Sequence, residues 1–105
     1  MQPHQRRILA RIADEIDTYR DGRQTMLEFL NNAWALFEAA EVREPAERDR
    51  FMFLHYAVST ADDARQPWMP AGLGSDEQVN VALVGFDAWA RSIRDQHRAD
   101  DGGSE

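Results

Sequence analysis

Apolar residues recur at helical spacing in four separate stretches of the chain, and no stretch alternates with period two over the length of a strand. In the first stretch Ile8, Leu9, Ile12, Ile16 and Tyr19 form one stripe, which predicts a helix from about Pro3 to Asp21, stopped by Gly22. Thr25 with Glu28 three residues later is a capping box and opens a second helix that should end near Val42. Its expected inward seam is Leu27, Leu30, Trp34 and Phe37, widened by Ala33 and Leu36. Pro45 suits the first turn of a third helix, and Glu44, Glu47 and Asp49 match the positive end of its dipole. There Phe51, Leu54, Val58 and Ala61 point inward, whereas Phe53 and Tyr56 lie off the stripe and need another cover or stay partly exposed. Residues 63–74 hold two prolines and two glycines and read as the one long loop. Ser75 with Gln78 caps a fourth helix, running to about Arg98, whose stripe is Val79, Ala82, Leu83, Phe86, Ala90 and Ile93, with Trp89 alongside.

These elements predict an all-α fold: an antiparallel four-helix bundle forming a single domain over 1–98, followed by a disordered acidic tail over 99–105. The core expected from the stripes is Ile12, Ile16, Leu30, Trp34, Phe37, Leu54, Val58, Leu83, Phe86 and Ile93. At 105 residues and 43% apolar, the chain is long enough to bury such a core without staples.

Composition narrows the chemistry. There is no cysteine, hence no disulfide, thiolate metal site or cysteine nucleophile. The net charge of −7 repels phosphates and anionic lipids, which argues against nucleic acid and membrane partners and for a basic protein partner. The opening residues hold only scattered apolar side chains and read as no signal peptide, and the longest apolar run is far too short to span a bilayer; a cytoplasmic location is expected. All twelve basic residues are arginine, which reads as the codon bias of a GC-rich bacterial or phage genome.

No constellation names a reaction. His4, His55 and His97 lie in no Glu-x-x-His or His-Glu-x-x-His pattern. Asp14, Asp17 and Asp21, and Glu38 with Glu41, have the spacing of an acidic helix face, but Asp14 lies nearly opposite the apolar stripe and reads as solvated rather than metal-binding. Arg6, Arg7 and Arg11, and Arg91, Arg94 and Arg98, lack interleaved aromatics and read as intramolecular ion-pair partners. No catalytic residue, cofactor or metal is assigned.

Two segments remain. The stretch 38–49 carries five acids against two arginines, and Glu38, Glu41, Glu44 and Glu47 make it a candidate docking patch for a cationic partner. Trp68 and Met69, between Pro67 and Pro70, form a stiff apolar knuckle that either plugs one end of the bundle or serves as a partner-binding tip.

The stretch 16–40, with Tyr19 and Gly22 closing one helix and Leu27, Leu30 and Trp34 on the next, resembles small bacterial all-helical immunity proteins of the colicin-immunity type. The resemblance implies a class of activity and assigns no site residue. With the acidity and the missing chemistry, it leads to a non-enzymatic protein-binding module, an immunity, antitoxin or phage-type inhibitor that neutralises a basic partner. The alternatives are a small helical metal-dependent enzyme and a homodimeric scaffold or regulatory subunit.

Overall fold

Local signals set the helix ends. The Thr25 hydroxyl accepts from the Glu28 N–H and the Glu28 carboxylate accepts from the Thr25 N–H, both at 3.1 Å, so the second helix starts where its capping box places it. At the end of the first helix the N–H of Gly22 donates to Tyr19 and that of Arg23 to Thr18, with Gly22 at φ 76°, the paired bonds of a Schellman turn. A computed structural model describes residues 1–68 and 75–103. Among these the regular elements are four helices: α1 (Pro3–Arg20), α2 (Met26–Ala40), α3 (Pro45–Ala64) and α4 (Asp76–Gly103). The Ser75 hydroxyl accepts from the Gln78 N–H at 3.3 Å, as its capping role requires.

The helices form one all-helical bundle. α1 packs along both α2 and α4, and α3 packs along α4, while α2 and α3 touch only thinly. Phe51 of α3 is wholly buried at the centre of the core. Its ring stacks on Phe37 at 4.0 Å and meets the edge of Phe86 at 5.8 Å, and Phe86 in turn meets Phe29 at 5.8 Å. Leu9, Ile12, Ala13 and Ile16 of α1 and Val79, Leu83, Ala90 and Ile93 of α4 complete the interior, on the faces their spacing predicts.

The inward face of α2 differs from expectation. Met26, Phe29, Leu30, Ala33, Phe37 and Ala40 are buried, whereas Leu27 is 67% and Trp34 39% exposed. Trp34 is therefore not a core residue. The expected and observed faces share Leu30, Ala33 and Phe37, and their mean directions differ by roughly 40–70° of rotation. Small Ala33 and Ala40 are buried, and α2 packs far more closely on α1 than on α3, which leaves Leu27 and Trp34 on the outer side.

α4 also runs past the end expected near Arg98, to Gly103. Asp100 takes two hydrogen bonds from the Arg6 guanidinium of α1, at 2.6 and 3.1 Å, which ties down this extension. Three further ion pairs join the helices: Asp14 to Arg94 at 3.9 Å, Asp17 to Arg91 at 2.7 Å and Arg20 to Asp87 at 3.0 Å. Partners rise in number along α1 as they fall along α4.

Candidate functional site

The thin side between α2 and α3 is where the surface becomes unusual. His55 of α3 bridges it: Nε2 lies 3.0 Å from the Leu30 carbonyl oxygen, so in the neutral ring Nε2–H donates and Nδ1 keeps its lone pair. Trp34 leans over this bridge, its ring 5.3 Å from His55 and 5.9 Å from Phe51. Trp34 and His55, with Met52, Phe53, Tyr56 and Ser59, line an open groove of about 480 Å³. Phe53 is 69% and Tyr56 70% exposed. Leu27 lies two helical turns before Trp34 and so shares its face of α2. Large apolar side chains left in water together on one hairpin are the ordinary mark of an interaction surface.

By helical spacing the groove is flanked by more acids than bases. Glu38 follows Trp34 by one helical turn, Asp49 precedes Phe53 by one turn, and Asp63 follows Ser59 by one turn; all three are exposed. Against them, Arg48 precedes Met52 and Arg50 precedes Phe53 by about one turn. α2 contains no basic residue at all.

The α2–α3 turn beside it is firmly held. Val42 is wholly buried, the Arg48 guanidinium donates to its carbonyl at 2.9 Å and lies over the Phe37 ring, and the buried Gln5 amide donates to the Glu41 carbonyl at 3.1 Å. Glu41 caps α2 in the left-handed conformation, φ 53°, where a residue with a Cβ is strained. The four glutamates of this turn have different surroundings. Glu38 and Glu41 are fully exposed on the α2 side. Glu44 caps α3; its own backbone N–H and then the Met1 ammonium, 3.4 Å away, hold its carboxyl below the usual range. Glu47 is turned toward Trp89, with which it lines a separate shallow hollow.

Trp68 is 75% exposed, so it does not plug the bundle end. It lies beyond the C-cap of α3, at Arg65, which is fixed by Asp62 and Asp76 at 2.8 Å each. The acidic turn sits at the opposite end of this 20-residue helix, about 30 Å away. The acidic turn and the tryptophan tip are thus separate, with the aromatic groove between them. Met69 lies outside the described residues.

Elsewhere several titratable groups are engaged with one another. Asp14 and Asp17, the carboxylates weighed as a metal face, are the partners of Arg94 and Arg91. Arg91 is held above its ordinary pKa by the hydrogen bond it donates to Asp87, and Asp100 is held below its own by Arg6. His4 and His97 come together with Arg7 and Asp100 around a hollow of about 190 Å³ at the far end of α1 and α4. Among the described residues, no three side chains of His, Asp or Glu converge as a metal site would need.

Trp34, Phe53 and Tyr56 are the residues that the sequence reading missed as a site. Phe53 and Tyr56 did carry a signal, since they fall off the inward stripe of α3. Trp34 carried none, because it fits a helical stripe as well as any core residue. No family model, curated protein or solved structure matches the chain. Among the described residues, no helix is long and apolar enough to cross a membrane.

Proposed function

We propose that the protein is a non-enzymatic binding module that docks a basic protein partner on the outer face of the α2–α3 hairpin, in the manner of an immunity protein or inhibitor acting in the cytoplasm. The observation that carries this reading is the exposed aromatic groove of Trp34, Phe53 and Tyr56 with Glu38, Asp49 and Asp63 at its rim. Aromatic side chains of this kind supply most of the energy in protein interfaces, and opposite charge supplies rate and selectivity. The net charge of −7 steers the same class of partner toward the molecule. An antiparallel, up-and-down bundle is the arrangement that presents this hairpin as one continuous strip.

A second copy of the chain is the less suitable occupant. Groove-to-groove pairing sets Glu38, Asp49 and Asp63 against the same surplus of acids over Arg48 and Arg50, and like charges facing each other oppose association. The decisive experiment is affinity capture from the source cell, followed by binding kinetics with the captured partner. A variant carrying Glu38→Arg and Asp49→Arg slows association and flattens its salt dependence. An acidic partner, or binding unchanged by this variant, refutes the proposal.

A further inference from the structure

We propose that the groove between α2 and α3 takes an amphipathic α-helix of the partner, with an apolar stripe seated on Trp34, Phe53 and Tyr56 and arginine or lysine on its flanks. This rests on the docking reading above and specifies the form of the docked segment.

The first argument concerns the backbone. Both walls of the groove are helices, whose N–H and C=O groups in mid-helix are already paired. No strand edge exists here to receive an extended segment by backbone pairing. A segment burying itself against such walls must satisfy its own backbone, and a helix does so.

The second argument concerns dimensions. Leu27 to Trp34 spans about 10 Å along α2, and Phe53 to Ser59 about 9 Å along α3. Apolar residues at i, i+3 or i+4, and i+7 of a helix span the same distance. The occupant would lie on the one thinly packed side of the bundle, where α2 and α3 are joined chiefly by the His55 bridge and the rings around it.

The third argument concerns charge and contact chemistry. Glu38, Asp49 and Asp63 outnumber Arg48 and Arg50 beside the groove, and α2 carries no base, so charge favours cationic flanks on the occupant. Exposed Trp and Tyr rings also accept a guanidinium on their faces, as the Phe37 ring already does for Arg48 at 5.8 Å.

The test uses the full chain and three synthetic peptides of about 18 residues, long enough for five helical turns. The first has leucines at helical spacing with arginine flanks, the second has the same leucines with glutamate flanks, and the third is the arginine peptide with two central prolines. Binding is read from the indole N–H resonances of the three tryptophans, Trp34, Trp68 and Trp89. The arginine peptide should shift the Trp34 resonance saturably and leave Trp68 unchanged. The glutamate and proline peptides should each bind at least about tenfold more weakly. Phe53→Ala with Tyr56→Ala should weaken the arginine peptide by about tenfold or more while the melting curve stays in place. Equal binding of the glutamate or proline peptide, a shift confined to Trp68, or no binding of the arginine peptide overturns the inference. If capture of the natural partner is lost on reversing Glu38 and Asp49 but is blind to the Phe53 and Tyr56 variant, docking stands and the helix-in-groove inference falls. Blindness to both variants removes both.

Discussion

Replacing Phe51 and Phe53 in turn by alanine separates the structural from the binding side of α3. The two side chains are identical, two residues apart, and differ in environment alone: Phe51 is wholly buried and Phe53 is 69% exposed. Truncating a buried phenylalanine loses its transfer free energy and leaves a cavity, about 3–5 kcal/mol together. Phe51 stands at the upper end of that range, because its ring also contacts Phe37, Phe86, Trp89, Trp34 and His55, and these aromatic pairs are lost with it. For a domain of this size, about 5 kcal/mol lowers the melting temperature by roughly 20–40 °C. It also removes a large share of a total stability of about 5–15 kcal/mol. Phe53 has little contact to lose, so Phe53→Ala should stay within about 0.5 kcal/mol of the parent. Urea unfolding followed by far-UV circular dichroism measures both. Equal losses at the two positions, or a larger loss at Phe53, would refute the assignment of inward and outward faces on α3.

The left-handed cap at Glu41 gives a second prediction. Glu41→Gly should be about 1 kcal/mol more stable than Glu41→Ala in urea unfolding, because glycine alone escapes the Cβ penalty at φ 53°. The Arg6–Asp100 pair gives a third. Asp100 titrates below its ordinary value when folded, so its contribution is present above the unfolded pKa and is lost as the pH falls through the lower, folded one. Protection of the amides in the last turns of α4, relative to their intrinsic exchange rates, should therefore fall as the pH is taken below about 4, and Arg6→Ala should abolish that pH dependence.

Much of the fold was legible because it is encoded locally. Thr25 with Glu28, Gly22, Pro45 and Ser75 each act within a few residues of themselves, and the helix starts fall where they indicate. The stripes of α1, α3 and α4 gather most of each helix's large apolar residues on one face, although Phe53 and Tyr56 of α3 and Val81 and Val84 of α4 lie off it and stay exposed. α2 is different: Leu27, Phe29, Leu30, Trp34, Leu36 and Phe37 spread apolar surface around much of its circumference. Periodicity then offers two overlapping stripes, and the choice between them is made by the closer packing of α2 on α1 than on α3. The extension of α4 was hidden for a related reason, since Arg6 and Asp100 are 94 residues apart.

The candidate site was half legible. The acidity of the α2–α3 turn could be read directly, but its division could not. Glu44 pairs with the Met1 ammonium, and Glu47 lines a hollow with Trp89, neighbours far from them in sequence. The exposure of Trp68 is a tertiary fact, as is its separation from the turn by the length of α3. The groove needed both the outward rotation of Trp34 and the thin α2–α3 packing, neither of which has a local signature.

The measurement that bears most directly on the docking surface is site-specific photo-crosslinking in the source cell. A photoreactive phenylalanine analogue placed at Phe53, within the groove, should give one discrete crosslinked protein of basic character. The same analogue at the exposed Arg11 of α1 and Ser92 of α4, away from the hairpin, should give none. No crosslink from position 53, or the same product from all three positions, would contradict the assignment of the α2–α3 groove as the binding surface.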